Sequence, residues 1–125
     1  MDTVGSLISV VDDDESVRES LPDLLREFGF TAKAFASGQE FLESNCADKT
    51  KCLVLDIAMP GMSGPELKQE LERMGFSIPT VFITAHAEIC SKSDVRKGSV
   101  ACLIKPFSDT ALQDAVKKAL NLTRK

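Results

Sequence analysis

Five polar residues in this sequence stand where apolar runs end, and their types suit phosphate chemistry on a metal ion. Asp12 and Asp13 follow Leu7-Ile8-Ser9-Val10-Val11, and Asp56 follows Cys52-Leu53-Val54-Leu55. Thr84 follows Val81-Phe82-Ile83, and Lys105 follows a run from Val100 to Ile104. Three clustered carboxylates repel one another and stay ionised together only with a cation among them; otherwise one takes up a proton. Hard oxygen ligands select Mg2+ or Mn2+ over zinc. Mg2+ usually keeps several waters and takes one or two carboxylates plus a phosphate oxygen. That predicts Asp13 and Asp56 as direct ligands, Asp12 acting through water, and the backbone carbonyl of Ala58 as a further ligand. A carboxylate beside a metal can attack phosphorus and form an acyl phosphate. Lys105 and the metal would neutralise the equatorial oxygens, and Thr84 could donate a hydrogen bond to the same group.

These residues meet only if the elements that carry them place their ends together. Val17, Leu21, Leu24, Leu25 and Phe28 fall at helical spacing after the first run, and Gly29 stops that helix. Pro22 lies inside it, where a missing N–H and a ring clash typically cost ~3 kcal/mol or a kink. Thr31 to Ala36 reads as a second strand, and Ser37-Gly38-Gln39-Glu40 has capping-box form. Ser63, with Pro65 just inside and Glu66 three residues on, starts a third helix that Gly75 ends. A polar segment from Ala87 to Lys97, closed by Gly98, predicts a short or mobile fourth helix. Ser108 caps a last helix with Leu112, Ala115, Val116, Ala119 and Leu120 on one face. Five strands alternating with five helices predict an α/β, doubly wound, flavodoxin-like fold. Its parallel sheet has order 2-1-3-4-5, with helices on both faces. Ligands of such sheets bind outside the carboxyl ends of the strands where the order reverses, here between strands one and three.

Composition narrows the classes. The chain has 125 residues, the size of one domain, and its 43% apolar content is enough for a core. A formal charge of −4 and the absence of a basic run speak against direct binding of nucleic acid. No apolar stretch is long enough to span a bilayer and no signal pattern opens the chain, so a cytoplasmic location is the expectation. Cys46, Cys52, Cys90 and Cys102 form no CxxC pair and read as small buried hydrophobes rather than a disulfide or a zinc site. Asp14 reads as a helix cap, His86 as a loop residue near the pocket rim, and Met59 and Met62 as loop packing. Glu15 and Glu19 read as a solvated helix face near the N-terminal dipole.

Four strings carry a resemblance. Val10-Val11-Asp12-Asp13-Asp14-Glu15, Leu55-Asp56-Ile57-Ala58-Met59-Pro60-Gly61-Met62-Ser63-Gly64, Ile83-Thr84-Ala85-His86 and Ile104-Lys105-Pro106-Phe107 occur in order across nearly the whole chain. Together they resemble the receiver domains of bacterial two-component response regulators, and look closest to the nitrogen-fixation regulator group with LuxR-type output. The resemblance implies that Asp56 accepts phosphate from a sensor histidine kinase. It implies that Asp12 and Asp13 hold Mg2+, that Thr84 moves toward the phosphate, that Lys105 contacts it, and that the Lys105-Pro106 bond is cis. Such regulators usually carry a C-terminal helix-turn-helix domain that binds DNA. The expectation is a single receiver over residues 1–125 with any output domain outside this chain. The sequence departs from the family pattern at Cys102, where receivers usually place Tyr or Phe as a switch residue. The Thr84-to-Lys105 segment is also about one residue shorter than in typical receivers.

The reading that follows is a phosphorylation-controlled switch with at most weak self-phosphorylation and self-dephosphorylation, not an enzyme with an external substrate. Phosphate on Asp56 would reshape the face of the fourth helix, fifth strand and fifth helix. That face would control a second copy of the domain, an attached DNA-binding domain or another protein. One alternative is a Mg2+-dependent phosphohydrolase with an aspartate nucleophile. Such enzymes commonly place a second aspartate two residues on, where this chain has Ala58. Another alternative is an interaction module that is not phosphorylated.

Overall fold

The central apolar runs become strands because both of their faces find cover. In the computed structural model, which describes residues 5–123, these are β1 (Leu7–Val11), β2 (Thr31–Phe35), β3 (Thr50–Asp56), β4 (Thr80–Thr84) and β5 (Ala101–Ile104). They alternate with α1 (Glu15–Glu27), α2 (Gly38–Glu43), α3 (Gly64–Arg73), α4 (Ser93–Gly98) and α5 (Asp109–Thr123). The sheet is parallel throughout, in the order β2-β1-β3-β4-β5. Successive side chains of a strand point to opposite faces. Cys52 and Val54 of β3, with Val81 and Ile83 of β4, therefore join Leu21 and Leu25 of α1 and Leu112 and Val116 of α5 in one core. Leu53 and Leu55, with Phe82, join Phe41 of α2, Leu67 and Leu71 of α3 and Val95 of α4 in the other. Burial on both faces explains why the β3 run reads as continuously apolar rather than alternating.

Local chemistry sets the helix limits. The side chain of Asp14 accepts from the backbone N–H of Ser16 and caps α1. That helix continues past Pro22, which is buried in it beside Leu21 and Leu25, so packing outweighs the lost backbone bond. Gly29 and Gly75 take φ of 98° and 95° after α1 and α3, a region costly for side chains with a Cβ. In each case the two residues after the cap donate back into the last turn: Gly29 to Arg26 and Phe30 to Leu25, Gly75 to Glu72 and Phe76 to Leu71. Ser63 and Glu66 form a full capping box at α3. At α2 the box is incomplete. Ser37 accepts from Glu40, but the Glu40 carboxylate reaches the N–H of Ala36 rather than that of Ser37.

Two expectations need correction. The polar segment after β4 is not one helix; it divides into a 3₁₀ turn, Ala87–Ser91, and the short α4. With few apolar side chains in the segment, Val95 is the one that reaches the core fully, at 1% exposure. The cysteines also divide. Cys46 and Cys52 are buried free thiols, as expected, whereas Cys90 and Cys102 form a disulfide. The crossover from β4 to β5 is short enough to lay the 3₁₀ turn beside β5, leaving 5.7 Å between the two Cα atoms, within bridging range.

Gly64 is the point where α3 presses on the strand that carries Asp56. Its N–H donates to the carbonyl of Ile57 at 2.9 Å, and an added Cβ would stand 2.5 Å from the backbone oxygen of Asp56. Backbone cannot yield as a flexible side chain can. Gly64→Ala is therefore expected to destabilise the fold by ~1–3 kcal/mol, the usual cost of overpacking. Urea unfolding measures this, and a variant as stable as the parent would contradict the packing described here.

Candidate functional site

The carboxyl ends of β1, β3, β4 and β5 deliver the sequence-nominated residues to one edge of the sheet. Asp12 and Asp13 leave β1 and Asp56 ends β3, on the next strand. One oxygen from each of these three carboxylates lies within 4.8 Å of the others. Asp12 is fully buried, Asp56 is 6% exposed and Asp13 is exposed, so the cluster has a closed floor and an open side. Lys105, just past β5, donates from Nζ to Asp12 Oδ2 at 2.9 Å and stands 4.0 Å from Asp56 Oδ1. Its Nζ is thus within ion-pair reach of two of the three acids.

Backbone bonds fix this arrangement. The N–H of Asp12 donates to the carbonyl of Phe35, and Asp14 N–H donates to Asp12 Oδ1 at 2.9 Å. The guanidinium of Arg18 donates to the Asp12 carbonyl at 3.1 Å. Sequence reasoning did not single out Arg18; its only signal is its place in the helix that follows the acidic run. The N–H of Lys105 donates to the carbonyl of Thr84 at 2.7 Å, which ties the ends of β4 and β5 together. The Lys105-Pro106 peptide is cis, as the resemblance implied.

Thr84 lies at the end of β4, almost fully buried, where its hydroxyl accepts from the N–H of His86 at 3.0 Å. His86 itself is exposed at the rim. Ala58 sits in the loop after β3, two residues past Asp56, and Met59 beside it is buried in the core, matching its reading as loop packing. Cys102 lies in β5 opposite Phe82 and is held by Cys90.

The electrostatics follow from burial and charge crowding together. Burial pushes the Asp56 carboxyl up to about 7; the neighbouring charge of Asp12 adds to this, Lys105 partly offsets it, and hydrogen bonds with Asp12 and Asp13 raise it further. Burial alone would lower the Lys105 ammonium. Its hydrogen bond to Asp12 and the charges of Asp12, Asp56 and Asp14 outweigh that and hold it above the usual lysine value. An all-carboxylate donor set that strains to keep its own charge is chemically fit for a hard divalent cation such as Mg2+. Asp12, Asp13 and Asp56 are the residues that could hold it.

Comparison with known proteins agrees with the geometry. Residues 8–117 match the family described as the response regulator receiver domain, and the chain belongs to that family. Nodulation protein W of Bradyrhizobium diazoefficiens is 43% identical over 121 residues, covering 96% of this chain and 53% of that protein. The transcriptional regulatory protein FixJ of Azorhizobium caulinodans is 36% identical over 114 residues, covering 90% of this chain and 54% of that protein. The chain thus spans about half the length of these curated relatives. Among solved structures, the response regulator StyR matches with a TM-score of 0.86 at 46% identity, covering 93% of this chain and 59% of that one. The response regulator protein TrrA of Thermotoga maritima, solved in complex with Mg2+ and BeF, matches with a TM-score of 0.82 at 30% identity, covering 92% and 99%. Receiver domains are signalling components rather than classical enzymes. Among the described residues, no helix is long and apolar enough to cross a membrane.

The raised Asp56 value has a consequence for stability. An unfolded aspartate near its ordinary 3.8 releases a proton that the folded site retains up to about 7. The stability this group contributes is therefore complete below about pH 4 and is lost as pH rises through about 7. A bound cation favours the ionised form and opposes that loss. Saturating Mg2+ is expected to raise Tm more at about pH 7.5 than at about pH 5. Asp56→Asn should remove most of the difference. Equal Mg2+ shifts at both pH values would contradict the charge crowding.

Proposed function

We propose that this domain is a phosphorylation-dependent switch in a two-component pathway, with Asp56 as the residue that accepts the phosphoryl group from a sensor histidine kinase. The observation that carries the reading is the convergence of Asp12, Asp13 and Asp56 with the Lys105 ammonium at one sheet edge. Mg2+ or Mn2+, when bound, supplies positive charge that holds Asp56 ionised and offsets charge on the incoming group. Asp13, Asp56 and the carbonyl of Ala58 would hold the ion, with Asp12 contributing through water. TrrA, a relative solved in complex with Mg2+ and BeF, supports Mg2+ as the ion.

The remaining steps belong to the chain's own side chains. An Asp56 oxygen attacks phosphorus in line as the bond to the donor nitrogen breaks, leaving an acyl phosphate. Lys105, already beside Asp56, turns part of its charge from Asp12 to the new phosphoryl oxygens. The Thr84 hydroxyl, which accepts from His86, keeps its own proton to donate to the same group. Since Lys105 and Thr84 are joined by a backbone bond, movement at one end of β4 is passed to β5. The surface that responds is made of α4, β5 and α5. That face would contact a second copy or an attached helix-turn-helix domain. Ala58, two residues past Asp56, offers no side chain to deprotonate a water, which favours a lasting acyl phosphate over rapid hydrolysis.

Incubation with acetyl phosphate and Mg2+, followed by intact mass, tests the assignment. A single phosphoryl adduct that needs Mg2+ and is absent from Asp56→Asn is the expected outcome. Lys105→Ala, less stable for the loss of its pair with Asp12, should form the adduct far more slowly even under conditions where it is folded. An adduct that persists in Asp56→Asn, or rapid multiple turnover of the phosphodonor, would overturn the proposal.

A further inference from the structure

We propose that Cys90 and Cys102 are a redox-reversible latch on the segment that joins the two ends of the phosphate site. This rests on the switch reading above for its effect on signalling, but not for its chemistry. The bridge connects the 3₁₀ turn Ala87–Ser91 to β5, closing a loop of sequence separation 12 that contains α4. The turn begins three residues after Thr84, and Cys102 stands three residues before Lys105. Thr84 and Lys105 are already joined at the other side by the 2.7 Å backbone bond. The bridge therefore makes the segment a doubly closed unit: one tie at the site and one covalent tie at the far end of the turn. The hydroxyl of Thr84 is engaged by His86, inside the strapped portion. Any motion that carries Thr84 or the turn away from this arrangement must also shift β5 while the bridge is intact.

The two pairs of cysteines differ in the way a latch requires. Cys46 and Cys52 are buried at 8% and 0% exposure, and burial pushes the Cys52 thiol up to about 12, which makes it a poor nucleophile. Cys90 and Cys102 are only partly buried, on a turn and an edge strand that small molecules can reach. Little else pins the turn: of its residues none is fully buried, and Ile89 and Cys102 pack only on the margin of the core. Loss of the bridge thus frees the turn without emptying the core.

The chemistry needs a low-molecular-weight disulfide, such as glutathione disulfide, as oxidant. The thiolate of one cysteine attacks a sulfur of that disulfide, forming a mixed disulfide and releasing one glutathione thiolate. The second cysteine attacks the protein sulfur of the mixed disulfide, forming the Cys90–Cys102 bond and releasing the second glutathione. Two protein sulfurs are oxidised, two glutathione sulfurs are reduced, and the two thiol protons end on the glutathiones. Excess reduced glutathione runs the same steps backward.

The native domain, equilibrated in glutathione buffers of varied ratio, trapped with maleimide and weighed, tests the chemistry. Cys90 and Cys102 are expected to become labelled together as the buffer is made reducing, while Cys46 and Cys52 resist labelling until denaturant is added. A bridge that survives every ratio, or never forms, overturns the latch. Hydrogen exchange then reads its mechanical effect: residues 85–91 should exchange several-fold faster in the reduced form, and unchanged exchange overturns it. Beryllofluoride with Mg2+ reads the coupling. The reduced form should bind several-fold more tightly than the oxidised form, and Cys90→Ser should bind like the reduced form under both conditions. Equal binding by both forms overturns the coupling. Binding by neither form counts against the phosphorylation switch itself, while the labelling and exchange results still decide the latch.

Discussion

The structure is organised around an imbalance of charge: three carboxylates gathered at one sheet edge with one lysine ammonium among them. Asp12 is fully buried and survives because Lys105 and the N–H of Asp14 satisfy it. Removing one partner of such a buried pair typically costs ~3–5 kcal/mol, because the other charge is left without compensation. Burial raises the proton affinity of Asp56, and the charge of Asp12, which Lys105 only partly offsets, raises it further. A fold selected only for stability would replace this cluster with apolar side chains. Its presence at the switch point of a doubly wound sheet is what points to a cation and a phosphoryl group.

The rest of the molecule positions and protects that cluster. The parallel sheet sets β1 beside β3, so the acids leaving one strand face the acid ending the other. The bare backbone of Gly64 lets α3 begin in contact with the Asp56 carbonyl. The bond from Lys105 N–H to the Thr84 carbonyl then links the site to β5, the edge strand. Stability is therefore concentrated around β1, β3 and β4, while the turn after Thr84 and α4 rest on few buried side chains. An element that must change state is expected at the weakly anchored end of a fold.

Much of this was legible from the amino acids. β3 was readable because Cys52-Leu53-Val54-Leu55 is apolar on both faces, and α3 because Ser63, Pro65 and Glu66 write its start in hydrogen-bonding terms. Asp12, Asp13, Asp56 and Lys105 could be gathered in advance because strand ends in a parallel sheet share one edge. Three features could not. The polar stretch 87–97 has no periodicity strong enough to show where a 3₁₀ turn gives way to α4. Glu40 bonds Ala36 rather than Ser37, a choice that residue type does not reveal. The Cys90–Cys102 bridge depends on how closely a short crossover folds back on β5, a distance that cysteine spacing does not encode.

The switch proposed for this domain requires that the carboxylates of Asp12, Asp13 and Asp56 share one divalent cation. Crystals of the domain grown with Mn2+ and measured at the manganese absorption edge test it most directly. One strong anomalous peak is expected between the Asp13 and Asp56 carboxylates, with Asp12 reaching it through water and Lys105 still beside Asp12. A map with no peak there, or with Asp13 and Asp56 turned away from a common point, would contradict it.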